Sequence, residues 1–166
     1  MPEIQYLNTQ EFDKMKVLNM LNNKYYIYNG QLFGVNQNAM GNAWYVQNIK
    51  WADSPDSEIN EIATTDVATT AIINNEFKEI AKNPGVDSNA RVVMTSYSPK
   101  HLVYETNSTK DGLVVFSEVY YEDGWNAYID GNLQDHFRVN YVLRALRIPA
   151  GNHTIEFKFE PPISSA

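Results

Sequence analysis

Polar and apolar residues alternate most strictly near the end of the chain. His153, Ile155, Phe157 and Phe159 fall on one side of an extended segment, and Thr154, Glu156, Lys158 and Glu160 on the other. That period of two marks a strand with one buried face. Pro161-Pro162 ends it, because proline cannot donate to a strand ladder. Leu113 to Tyr121 is largely apolar without alternation, which predicts a central strand covered on both faces. Further strands are predicted at Arg91 to Tyr97, Leu102 to Thr106, Trp125 to Ile129 and Tyr141 to Ile148. Ser98-Pro99, Ser108 to Gly112, Asp130-Gly131 and Pro149 to Asn152 supply the turns between them.

The first half of the chain reads differently. Phe12, Met15 and Leu18, joined by Val17 and Leu21, predict a helix over residues 10–22, with Thr9 as its cap. Lys24 to Phe33 predicts a hairpin around Asn29-Gly30, a favoured type I′ pair. Asn36 to Asn42 is a polar loop. Ala43 to Trp51 alternates as one strand, with Trp44 and Val46 facing one way and Tyr45, Gln47 and Ile49 the other. Ser54-Pro55-Asp56 opens a second helix: serine caps, proline suits the first turn, and Asp56 and Glu58 suit the positive end of the dipole. Ile59 and Ile62 are its expected buried side. Thr69 to Ile73 is a short strand.

The pattern therefore predicts a mainly β (α+β) fold. Residues 76–166 form a β-sandwich of about seven to nine antiparallel strands. Residues 1–75 form a small α/β segment packed on it, as a separate domain or as part of one structural unit. A soft boundary falls near Asn83-Pro84-Gly85.

Composition narrows the chemistry. The chain has no cysteine, which excludes disulfides, cysteine-based zinc sites and thiol nucleophiles. A net charge of -7 argues against a nucleic-acid partner. The charge is uneven: residues 1–135 hold nine basic and eighteen acidic groups, and residues 136–166 four basic and two acidic. The longest uncharged run, Tyr25 to Ile49, is studded with Asn and Gln, whose amides are costly in hydrocarbon. It is read as strand and turn, not as a membrane span. The N-terminus lacks the basic start and apolar stretch of a signal peptide.

His101, His136 and His153 are dispersed, so no metal site is expected. Neither phosphate-loop motifs nor GxSxG occur, and no cofactor is implied. Glu118, Glu122, Asp123, Asp130 and Asp135 cluster around the Trp125 strand, where a pair could serve glycoside hydrolysis. Asp123-Gly124 and Asp130-Gly131 are also ordinary turn pairs. Tyr120, Tyr121, Trp125 and Tyr128 lie close in sequence and offer faces for sugar stacking. The plainer account puts Trp125 and one tyrosine in the core, since alternation buries half of such a strand.

Four ordered segments carry a family resemblance. They are Leu18 to Ile27, Asn38 to Val46, Phe116 to Gly131, and Arg138 to Ala145 together with Pro149 to Phe157. Together they resemble the C-terminal extracytoplasmic region of the bacterial YfhO-type membrane proteins. The resemblance implies a polytopic parent related to polyprenyl-phosphate-sugar-dependent glycosyltransferases, whose catalytic acid lies outside this chain. It implies a non-catalytic accessory domain on the extracytoplasmic side, tethered to the membrane. Its partners would be the membrane-embedded part of the same parent and a glycan or cell-envelope polymer. The alternatives are a stand-alone carbohydrate-binding or adhesive module and a glycoside hydrolase. Candidate glycan contacts are Tyr120, Tyr121, Trp125, Tyr128, Asp130, Arg138 and Asn140. For Asp130, Arg138 and Asn140 a structural role is the first expectation, with Arg138 bonding carbonyls or a carboxylate.

Overall fold

The computed structural model describes residues 25–28, 31–35 and 41–163. The helix expected over 10–22 and the turn pair Asn29-Gly30 lie outside the described residues. On either side of that turn, β1 (Tyr25–Tyr28) and β2 (Gln31–Val35) pair antiparallel, as the hairpin reading expects.

Nine strands form two antiparallel sheets. β3 (Ala43–Val46), β8 (Gly112–Val119), β11 (Phe137–Val139) and β12 (Leu143–Ile148) make the first, in the order β11-β12-β8-β3. β6 (Arg91–Ser98), β7 (His101–Ser108), β9 (Trp125–Ile129), β10 (Asn132–Gln134) and β13 (Gly151–Phe159) make the second, in the order β10-β9-β13-β7-β6. The alternation in β13 is realised as read: Ile155 and Phe157 are fully buried. They join Leu102, Tyr104, Val114, Phe116, Leu146 and Ile148 in one apolar cluster between the sheets. Phe116 meets Tyr104 and Phe157 edge-on, each at 4.8 Å between centroids. Each such pair contributes about 1 kcal/mol beyond its buried area. The fold is a β-sandwich.

A third layer covers the far face of the four-stranded sheet. β4 (Asn48–Ala52) and β5 (Thr70–Asn74) run parallel, linked through α1 (Pro55–Ile62). A 3₁₀ turn (Asn75–Phe77) and α2 (Lys78–Ala81) follow. Ile62, Val67, Ala71 and Ile73 from this layer pack with Leu113, Val115, Leu143 and Ala145 from the sheet. β8 therefore sends Leu113 and Val115 one way and Val114 and Phe116 the other, all fully buried. Its continuous apolar run has this double coverage as its cause.

Three expectations need correction. The strand expected over Tyr141 to Ile148 begins only at Leu143, and Tyr141, at φ 71, lies in the turn before it. Ala43 to Trp51 is not one strand. It breaks at Gln47, where the amides of Gln47 and Asn48 both donate to Thr69 O, at 2.7 and 3.1 Å. β3 then joins β8 and β4 joins β5. The facing of Trp44 and Tyr45 still holds, with Trp44 on the outer core and Tyr45 on the inter-sheet core. The buried side of α1 is Glu58 and Ile62, not Ile59 and Ile62. Ile59 is 44% exposed and Glu58 fully buried, because Glu58 meets an arginine from β11. The start of α1 is as read: Ser54 accepts from Ser57 N at 3.1 Å, and Ser57 Oγ accepts from Ser54 N.

Candidate functional site

The seven candidate residues do not form one surface. Alternation along β9 separates two of them. Trp125 turns inward against the inter-sheet cluster, with Phe159 at 5.4 Å. Gly124 before it has φ +101, and a Cβ there would lie 2.7 Å from the Phe159 ring, so only glycine allows the approach. Tyr128 turns outward. Its hydroxyl donates to Glu160 Oε1, and the Lys158 ammonium lies 4.9 Å from its ring centre. Tyr121 is exposed.

Three candidates are held by internal partners. Asp130, at φ 50, accepts from Thr154 N at 2.9 Å and pairs with His153 at 2.6 Å. These contacts hold its carboxyl below the usual carboxylate range, His153 contributing most. Asn140, at φ 49 and fully buried, accepts from Ile72 N through Oδ1, while its own N–H donates to Ile72 O, both at 2.8 Å. It pairs with β5 as a strand would. Arg138 donates through Nη2 to Glu58 Oε2 at 2.9 Å, joining β11 to α1. The expected carboxylate partner exists, and it comes from the third layer.

Tyr120 and Arg138 do come together. With Glu76, Phe77 and Glu122 they line a cavity of about 400 Å³ at the junction of the third layer and the four-stranded sheet. Local structure fixes each wall. Tyr120 N donates to Val142 O at 2.7 Å, and its ring lies 5.3 Å from that of His136. Asn74 caps the 3₁₀ turn that carries Glu76, accepting its N–H at 3.0 Å. Phe77 is braced by Phe137 at 5.9 Å. Burial pushes the Tyr120 hydroxyl pKa up, Glu122, Glu76 and Asp123 add to the shift, and Arg138 opposes it. The phenol therefore stays protonated and can both donate and accept. The walls thus offer an aromatic face, two carboxylates and a guanidinium edge, the polar and stacking groups that recognise a hydroxylated ring.

The inter-sheet layer holds a residue that pattern reading missed. Arg144, in β12, is 2% exposed and faces the inter-sheet core, a placement that the pattern of the sequence does not signal. Its guanidinium sits 4.4 Å from the Trp125 ring centre and 5.2 Å from that of Phe157. Its Nε donates to Val119 O at 2.9 Å. The register slips here, Leu143 facing Val119 and Arg144 facing Phe116, and this bulge admits the side chain. Burial and Arg144 together push His136 down to about 4, so His136 is neutral near pH 7. Glu76 and Phe77 were also missed, since they fall in a stretch without strong periodicity. Glu58 had one usable signal: it stands four residues before Ile62, on the same helical face.

Residues 14–165 match the family described as bacterial membrane protein YfhO. The chain belongs to that family. The match takes in every element of the YfhO-family fold described above. No curated protein and no solved structure matches the chain. Among the described residues, no helix is long and apolar enough to cross a membrane.

Proposed function

We propose that this chain is a non-catalytic accessory domain on the extracytoplasmic side of a polytopic membrane protein. It supports the membrane-embedded part of its parent and contacts a glycan or cell-envelope polymer through the Tyr120–Arg138 cavity. One observation carries the reading: membership of a bacterial membrane protein family over residues 14–165. The non-catalytic part is favoured by the state of one acid near Trp125, Asp130. Asp130 spends both oxygens on His153 and Thr154. The glycan contact is favoured by the mix of aromatic, acidic and guanidinium groups around the cavity.

The missing cysteines make the topology testable. A single cysteine replacing Leu133, which is 64% exposed, is introduced into the full-length parent. Labelling of intact cells by a membrane-impermeant maleimide, above the level of the unsubstituted parent, is the expected result. Labelling only after lysis overturns the extracytoplasmic placement. For the glycan contact, Tyr120→Ala is expected to abolish binding to envelope polysaccharide while the circular-dichroism spectrum stays unchanged. Binding that survives this change, in a folded variant, sinks the cavity as the contact site.

A further inference from the structure

Three turns meet at one end of the sandwich. The β9–β10 turn carries Asp130, the β12–β13 turn carries Ala150, and the β7–β8 turn carries Asp111. The Ala150 peptide joins two of them. Its N–H donates to Asp111 Oδ1 at 2.9 Å, and its carbonyl lies 3.0 Å from His153 Nε2. The other ring nitrogen, Nδ1, lies 2.6 Å from Asp130 Oδ2. The remaining oxygen of Asp130 accepts the Thr154 N–H. Carbonyl and carboxylate oxygens only accept. A neutral imidazole has one donor and one acceptor, and only the imidazolium donates from both nitrogens. The geometry therefore matches one protonation state of His153.

We propose that His153 is a proton-operated latch, in which the imidazolium ties the β9–β10 turn to the β12–β13 turn and loss of its proton frees one of the two. A neutral ring protonated at Nδ1 keeps Asp130 and turns a lone pair toward the Ala150 carbonyl. The other tautomer keeps Ala150 and sets a lone pair against the Asp130 carboxylate. Either way one contact becomes repulsive.

The surroundings decide where the latch works. His153 lines a cleft of about 520 Å³ whose other charged walls include Asp130, Asp111, Asp135 and Glu79, against Lys82 and Arg147. Arg147 Nη1 is spent on the carbonyls of Ala81, Lys82 and Asn83, at 3.1 to 3.3 Å. The field at His153 is thus set first by Asp130. That partner and the Ala150 carbonyl raise its pKa above the ordinary 6.5, and burial opposes them. A raised folded value means that the stabilisation is complete below 6.5 and is lost as pH climbs through the folded value. The turns it joins are compact, with positive φ at Asp130, Gly131 and Gly151. Release therefore acts on two defined hairpin ends that border one cleft.

Long-range ¹H–¹⁵N spectra of the chain, recorded from about pH 5 to about pH 9 across the ordinary histidine range, test the latch directly. Both ring nitrogens are expected to be protonated below a midpoint above 6.5. Exchange of the Thr154 amide, held by Asp130, or of the Ala150 amide, held by Asp111, corrected for its intrinsic rate, should accelerate several-fold through that midpoint, according to which contact is freed. His153→Gln should remove the step, and Asp130→Asn should move the midpoint down. A single neutral tautomer at pH 7 with a midpoint at or below 6.5 overturns the proposal, as does exchange without a step at both the Thr154 and the Ala150 amides. Should His153→Gln fail to fold, the direction of the Asp130→Asn shift still decides.

Discussion

The guanidinium of Arg144 lies 4.4 Å from the centre of the Trp125 ring, in the layer between the two sheets. No carboxylate lies within salt-bridge distance of Arg144 among the described residues. The aromatic face of Trp125 is thus part of what makes a buried cation tolerable here. Trp125→Ala removes the stack and leaves a cavity, and is expected to cost about 3 kcal/mol in urea unfolding. Arg144→Met, which swaps the cation for an apolar chain of similar length, should lie within about 1 kcal/mol of the parent. A larger loss for Arg144→Met would show that the bond to Val119 O and the charge carry more than packing.

Glu58 and Arg138 make the opposite case, a pair with one fully buried member. Arg138→Ala leaves the buried Glu58 side chain without its arginine partner, and such one-sided cuts cost about 3–5 kcal/mol. Adding Glu58→Gln to Arg138→Ala should recover part of that loss. A double-mutant cycle by chemical denaturation reads the coupling directly, and strict additivity would show the pair to be incidental.

Asn140 should resist substitution for two separate reasons. It adopts a positive φ, which asparagine tolerates better than alanine, and its Oδ1 satisfies the buried Ile72 N–H. Asn140→Ala is expected to cost about 2–3 kcal/mol, the sum of backbone strain and an unpaired buried donor. Asn140→Gly relieves only the backbone part, so its thermal midpoint should fall between those of Asn140→Ala and the parent.

Asp130 sets an acid limit. Its folded pKa lies below the ordinary 3.8, chiefly through His153 and then Thr154. A depressed value gives stability that is present above 3.8 and is lost as pH falls through the folded value. Asp130→Asn should flatten the stability profile over that acid window. An unchanged profile in that variant would remove Asp130 from the account of acid unfolding.

Sequence legibility followed periodicity. β13 and β9 were readable because alternation on one strand depends on nothing distant, and β8 because double burial leaves an uninterrupted apolar run. The cap at Ser54 and the turn at Asp130-Gly131 were readable from local hydrogen-bonding chemistry. The split at Gln47 was not, since Thr69 O, twenty-odd residues on, decides it. Arg144 and Glu58 were missed because charge normally marks an outward face, and only the facing layer shows otherwise. Of the candidate contacts, the chain brings Tyr120 and Arg138 to one cavity and turns Trp125 and Tyr128 to opposite sides of their sheet. Proximity in sequence along a strand does not survive the pleat.

β8 has neighbours on every side, and they come from both ends of the chain. Ala43 stands opposite Phe116 on one flank, and Leu143 stands opposite Val119 on the other. A polypeptide that leaves a ribosome or a translocation pore N-terminus first presents β3, α1 and β5 long before their partner emerges. Until then, Ile62, Ile72 and Ile73 have no sheet to cover. Such late, long-range closure predicts slow folding and a vulnerable nascent stage. For the same reason, a chain cut before residue 76 would lose β3 from the flank of β8 and expose the outer face of β11, β12 and β8 rather than release an independent sandwich.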